Sequence, residues 1–177
     1  MLVNGGKRIT PTLIDRIQDR HGKTIQKHDT RTCEGCLVPW QDNLTAPELE
    51  DNREQVVNSA TAYQAVSILE GVVQRGTGTK VKEVGKPLAG KTGTSNDSFD
   101  TWFIGFSPDL AVGVFVGFDT PATLGKTATG GVVAAPIFRD FMMEALKDAP
   151  ATPFRVPPGI RLVRVNHLTG QLAKSGD

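Results

Sequence analysis

No run of apolar residues in this chain approaches the ~20 that a membrane-spanning helix requires, and Met1 is not followed by a basic and then hydrophobic leader-like stretch. A dominant charge is missing as well: twenty lysines and arginines face nineteen acidic residues, for a net charge of +1. That balance gives no electrostatic footing for nucleic acid or for an anionic membrane surface. Histidine is scarce, and His21, His28 and His167 read most simply as solvated loop or turn residues. No internal repeat organises the sequence, beyond a faint echo between Arg16–Gly22 and Arg164–Gly170 that reads as two separate turns. What is present, 177 residues of which 38% are hydrophobic, is enough for one core of moderate size with appendages.

Cysteine is limited to Cys33 and Cys36, a single C-x-x-C set in a loop by Thr32, Glu34, Gly35 and Pro39. Three readings are open. A small disulfide loop ranks first if the protein is exported to an oxidising compartment. A zinc site recruiting His21 and His28 ranks second, although the spacing matches no standard finger. A redox motif ranks last, because the βαβ context of such cysteines is missing.

The stretch Gly85-Lys-Pro-Leu-Ala-Gly-Lys-Thr-Gly-Thr-Ser95 fits two unrelated motifs. From Gly85 to Thr92 it satisfies G-x-x-x-x-G-K-[ST], the phosphate-cradling loop of nucleotide hydrolases. That reading requires a buried strand before Gly85 and a helix starting at Lys91. Upstream, Lys80-Val-Lys-Glu-Val84 is too short and too charged for a central parallel strand. Downstream, Gly93, Thr94, Ser95, Asn96, Asp97 and Ser98 are poor helix formers. Taken from Lys91, the tetrad Lys91-Thr92-Gly93-Thr94 instead resembles the K-T-G element of penicillin-binding proteins and serine β-lactamases, carried on an edge strand.

The residues after the tetrad strengthen the second reading. Asp100–Ser107 and Leu110–Phe118 are β-rich runs joined by a Pro108-Asp109 turn, which predicts an antiparallel hairpin directly after the K-T-G strand. Together with Asn4-Gly5-Gly6 and Pro11, Gly71-Val72-Val73, Gly76-Thr77-Gly78-Thr79, Thr129-Gly130-Gly131 and Ala134-Ala135-Pro136-Ile137, these pieces resemble the transpeptidase domain of class A high-molecular-mass penicillin-binding proteins. The resemblance spans roughly residues 1 to 147. Serine β-lactamases share the K-T-G strand, and the Trp102-Phe-Ile-Gly-Phe106 continuation and the extra tail argue against them.

The resemblance implies an α+β fold, an antiparallel β-sheet flanked by helices, β-lactamase/transpeptidase-like, and incomplete here as a fragment. It implies a serine-type D,D-transpeptidase of peptidoglycan synthesis at the periplasmic face of the inner membrane, acting on D-Ala-D-Ala stem peptides and imitated by β-lactams, with no cofactor and no metal. In that scheme Lys91 and Thr94 are catalytic, and Thr92, Gly93 and Thr94 bind substrate. The ammonium stands close to the nucleophile's proton path and attracts the substrate carboxylate, the threonine hydroxyls hydrogen-bond that carboxylate, and the backbone N–H of Thr94 faces the developing oxyanion. Gly93 keeps the approach to the strand clear. The family also carries S-x-x-K and S-x-N ahead of K-T-G, and no serine in this sequence satisfies either pattern. The chain is therefore expected to be the C-terminal part of a longer enzyme and inactive alone. The family sheet has five strands, two of them from earlier sequence, so the strand Leu110–Phe118 is expected to seek a substitute neighbour by self-association. The alternatives are a noncatalytic structural or interaction module and a nucleotide-binding loop protein.

Along the chain, a hairpin turning at His21-Gly22 and a long loop over residues 30 to 55, anchored by Trp40, precede a helix N-capped at Ser59. That helix carries Ala62, Val66, Leu69 and Val73 as its apolar stripe and stops at Gly76-Thr77-Gly78. A Gly/Thr-rich loop over residues 120 to 133 brings Lys126, Thr127 and Thr129 near the cleft mouth by family analogy. A second helix, Ala134 to Leu146, presents Ile137, Phe138, Phe141, Met142 and Leu146 to the core. The domain plan is thus 1–147 as the transpeptidase part, 148–158 as a Pro-rich linker, and 159–177 as a tail with a possible small β-hairpin.

Overall fold

The computed structural model describes residues 1–31, 33, 36, 38, 39, 47, 49–166 and 169–173. Two compact units are present, Lys7–Val56 and the remainder, Met1–Gly6 with Val57–Asp177.

In the larger unit, helix α1 (Ser59–Arg75) opens one residue earlier than the sequence suggests. The cap is Asn58, whose side-chain oxygen accepts from the Ala60 N–H at 2.8 Å, not Ser59. Its buried residues Ala62, Val66 and Val73 follow the helical period, with Leu69 partly buried, and Gly76 closes it by donating to the Val72 carbonyl. A 3₁₀ segment over Thr79–Val84 comes next, ending at Gly85. In the same unit lies an antiparallel sheet of β3 (Ala89–Thr94), β4 (Thr101–Phe106) and β5 (Ala111–Val116), in the order β3-β4-β5. The expected hairpin is there, turning at Pro108-Asp109, with Ser107 Oγ accepting from the Leu110 N–H. Among the described residues, β3 and β5 are the two edges.

Helix α2 (Ala134–Ala145) packs on one face of this sheet. Phe138 and Phe103 are fully buried, their ring centres 4.7 Å apart. They close tightly because Gly105 has no side chain: a β-carbon there would lie 2.7 Å from the Phe138 ring. Val73, Val81, Leu88, Ala134, Ala135, Met142 and Leu146 complete this core. The apolar stripe expected for α2 is only partly inward. Phe138, Met142 and Leu146 are buried, whereas Ile137 and Phe141 are about half exposed, at 49% and 51%. At 3.6 residues per turn, Ile137 and Phe141 lie ~100° around the helix from Phe138 and Met142, so one contact face cannot take all five.

The opposite sheet face carries Trp102, Ile104 and Phe115 exposed to solvent, Trp102 and Phe115 forming a cross-strand pair with centroids 4.8 Å apart. A second cluster, Val66, Ala89 and Phe154 with Tyr63, Leu69 and Phe106, ties the proline-rich segment to the sheet through an edge-on Phe106–Phe154 contact. Further on, Val165 bridges Leu172. His167 lies outside the described residues.

The unit Lys7–Val56 contains the expected hairpin, β1 (Arg16–Gln18) with β2 (Thr24–Lys27), whose turn is held by the Asp19 carboxylate accepting from the His21 and Lys23 N–H groups. Both strands are exposed, and no described residue of this unit is a buried apolar side chain. Polar contacts hold it instead. Asp51 takes Lys7 Nζ at 2.8 Å and Arg53 in a two-pronged pair, and these partners, Arg53 first, hold its carboxyl well below the usual carboxylate range. Lys7 bridges Gln55, and a disulfide joins Cys33 and Cys36. Among the described residues no three histidine, cysteine or acidic side chains converge as metal ligands. Trp40 lies outside the described residues.

Candidate active site

Lys91, Thr92, Gly93 and Thr94 all lie on β3, an edge strand, with Gly85 closing the preceding 3₁₀ segment. No helix begins at Lys91, so the phosphate-cradling alternative loses the N-terminal amides it depends on.

The register fixes which way the strand's polar groups face. Ser95 N–H donates to the Asp100 carbonyl, and Ser95 and Asp100 continue the pairing in which Thr94 opposes Thr101 and Gly93 opposes Trp102. Antiparallel pairs alternate between bonded and non-bonded. Gly93 and Lys91 therefore bond to β4, while the N–H and C=O groups of Thr92 and Thr94 point to the free edge. No acceptor among the described residues takes the Thr94 N–H. This is the donor expected to face an oxyanion, and the ladder aims it outward.

The side chains leave the strand on both of its faces. Lys91 Nζ donates to the Thr92 carbonyl at 3.0 Å, which brings the ammonium to the rim that this carbonyl faces. Thr92 and Thr94 fall on the sheet face opposite to Lys91 and Gly93. Thr94 Oγ1 accepts from the Gly130 N–H at 3.0 Å, and Thr92 Oγ1 lies 2.7 Å from Thr77 Oγ1. At Gly93, the space a β-carbon would fill abuts Trp102 Cβ at 3.2 Å, so the glycine also accommodates the neighbouring strand.

Three glycine-containing segments separated widely in sequence thus meet at β3: Gly76-Thr77-Gly78, Gly90 to Thr94, and Thr129-Gly130-Gly131. The contact is backbone against backbone. A β-carbon on Gly130 would lie 2.5 Å from the Gly93 carbonyl oxygen, and one on Gly131 2.5 Å from that of Thr77. The turn between β3 and β4 is held by the loop that carries Gly130, Thr123 Oγ1 donating to the Asp97 carbonyl and Leu124 N–H to that of Ser98. Asp97 and Ser98 both adopt left-handed backbone, φ 56° and 53°, a strained pair of non-glycine residues directly beside the site. Neither Thr77 nor Gly130 has a role at the site that the sequence alone discloses; their only trace is the Gly-Thr-Gly and Thr-Gly-Gly tripeptides themselves.

Residues 1–143 match the family model described as the penicillin-binding protein transpeptidase domain. Penicillin-binding protein 1A of Rickettsia bellii is 49% identical over 178 residues, covering 99% of this chain and 22% of the relative. The crystal structure of penicillin-binding protein 1A from Haemophilus influenzae superposes with a TM-score of 0.76 at 25% identity, over 99% of this chain and 29% of that one. The imipenem acyl-enzyme complex of penicillin-binding protein A from M. tuberculosis shares the fold, with a TM-score of 0.52 at 23% identity, over 81% of this chain and 28% of that one. The chain spans about a fifth of the length of the curated relatives it matches.

Proposed function

This chain belongs to the penicillin-binding transpeptidase family, and from that premise we propose that it supplies the K-T-G edge strand of a peptidoglycan D,D-transpeptidase. The observation that carries the reading is the edge position of β3, with the Lys91 ammonium at the Thr92 carbonyl, the Thr94 N–H turned outward and the Thr92 and Thr94 hydroxyls on the face opposite Lys91. An acyl donor lying along that edge places its carboxylate against the hydroxyls and ammonium, and its reacting carbonyl oxygen against the N–H. The acylated serine, and the S-x-x-K and S-x-N elements that carry it and its proton relay, are contributed by sequence outside these 177 residues. Stem peptides ending in D-Ala-D-Ala are the substrates, β-lactams the mimics, and the periplasmic face of the inner membrane the place of action; among the described residues no helix is long and apolar enough to cross a membrane.

The reading is tested by labelling the full-length polypeptide that carries this segment with a fluorescent penicillin. A covalent adduct is expected, and none at all contradicts it. The 177-residue chain alone is expected to form no adduct. It is also expected to self-associate through β5, whose apolar edge is bonded only to β4 among the described residues. Light scattering should report more than a monomer; a monomer with the β5 amides protected from hydrogen exchange would count against that pairing.

A further inference from the structure

We propose that Thr77 is a positioning residue of this site: its hydroxyl pairs with that of Thr92 and fixes the rotor through which Thr92 meets the carboxylate of the acyl donor. The inference rests on β3 as the acyl-donor edge and extends the site to a segment 15 residues upstream, at the end of α1.

A threonine hydroxyl has one hydrogen to donate and two lone pairs to accept with. Thr77 Oγ1 and Thr92 Oγ1 are 2.7 Å apart, and these two oxygens have no other side-chain hydrogen bond among the described residues. Whichever donates to the other, the second hydrogen of the pair stays available. Thr94 is arranged differently. Its oxygen already accepts from the Gly130 N–H, so its own hydrogen is left to donate. The cluster therefore presents two outward hydroxyl donors on the Thr92/Thr94 side of the strand, and the Lys91 ammonium approaches from the other side at the Thr92 carbonyl. Two neutral donors and one cation suit the two oxygens of a carboxylate.

Thr77 is held where it is by its neighbours rather than by its own packing. It sits between Gly76, which caps α1, and Gly78, whose N–H bonds to the Val72 carbonyl, and its carbonyl lies against the backbone of Gly131. The side chain is exposed, so removing the hydroxyl leaves no buried polar group without a partner. With the Thr77 hydroxyl gone, Thr92 keeps its hydrogen but loses the partner that fixes its rotor.

The test uses the full-length polypeptide and two probes, a penicillin with its free ring carboxylate and the methyl ester of the same penicillin. Thr77→Val keeps the shape and removes the hydroxyl; Thr77→Ser keeps the hydroxyl. The expected result is that Thr77→Val lowers the second-order acylation rate by the carboxylate form roughly tenfold or more. The ester, which keeps an acceptor carbonyl but no charge, loses clearly less; the melting temperature stays at the wild-type value, and Thr77→Ser acylates like wild type. Equal losses on both probes, or no loss on either, would overturn the proposal. Lys91→Ala separates the two readings. If Lys91 matters and Thr77→Val behaves as wild type, the role of Thr77 fails alone; if Lys91→Ala also acylates normally, the reading of the whole strand fails and takes this one with it.

Discussion

Replacing Lys91 by alanine in the full-length polypeptide is expected to lower its acylation by penicillin by about 10²-fold or more, the usual contribution of a positioned proton-transfer group. The ammonium is the cation that β3 itself places at the outward carbonyl of Thr92, and in the proposed role it attracts the incoming carboxylate and takes part in passing the serine proton. The substitution should leave folding almost untouched. Lys91 is exposed, and among the described residues its ammonium bonds only to the adjacent Thr92 carbonyl, so stability is expected to change by no more than about 0.5 kcal/mol. Lys91→Arg makes a sharper comparison. It keeps the positive charge but not an amine able to give up a proton, and should remain well below wild type. Second-order acylation rates beside melting curves check both points, and unchanged acylation of Lys91→Ala would refute the role.

The largest loss of stability is expected from Phe138→Ala, at about 3–5 kcal/mol. Phe138 is fully buried, stacks at an angle on Phe103, and fills the room left by Gly105. Phe103 in turn opposes Thr92 in the register and presses on Gly90, so the cavity would open under β4, beside the ring that backs the K-T-G strand. Phe141, one turn further along α2 and half exposed, is the internal control. Phe141→Ala should cost about 1 kcal/mol or less. Urea unfolding of the 177-residue chain and its two variants measures the difference, and comparable losses would mean that the core is not where α2 meets β4.

The K-T-G strand, the hairpin after it and both long helices are legible in the sequence because each has a local signature. Lys91 to Thr94 sit among poor helix formers, β4 and β5 are β-rich runs around a proline turn, and α1 and α2 carry apolar residues at helical spacing. The departures also have local causes. Asn58 and Ser59 are both good caps, and only the hydrogen bond to Ala60 decides between them. The α2 stripe looks wider in sequence than in the fold, because periodicity shows which residues are apolar and not how broad the partner surface is. Residues 7–56 read as a surface hairpin and a long loop, and the structure gathers them into a unit in which Asp51 takes Lys7 from 44 residues away, without buried apolar side chains among the described residues. The pairing of Thr77 with Thr92 and of Gly130 with Thr94 has no signature to read. Contacts across 15 and 36 residues depend on glycine backbones meeting in space, and a glycine in sequence reports only that something comes close.

The most direct measurement is the crystal structure of the full-length polypeptide acylated by a penicillin. The ring carboxylate is predicted within hydrogen-bond reach of the Thr92 and Thr94 hydroxyls and the Lys91 ammonium, with the acyl oxygen accepting from the Thr94 N–H on the open rim of β3. A penicilloyl group bound with its carboxylate away from β3, or with Thr94 N–H turned toward another acceptor, would contradict the role given to this strand.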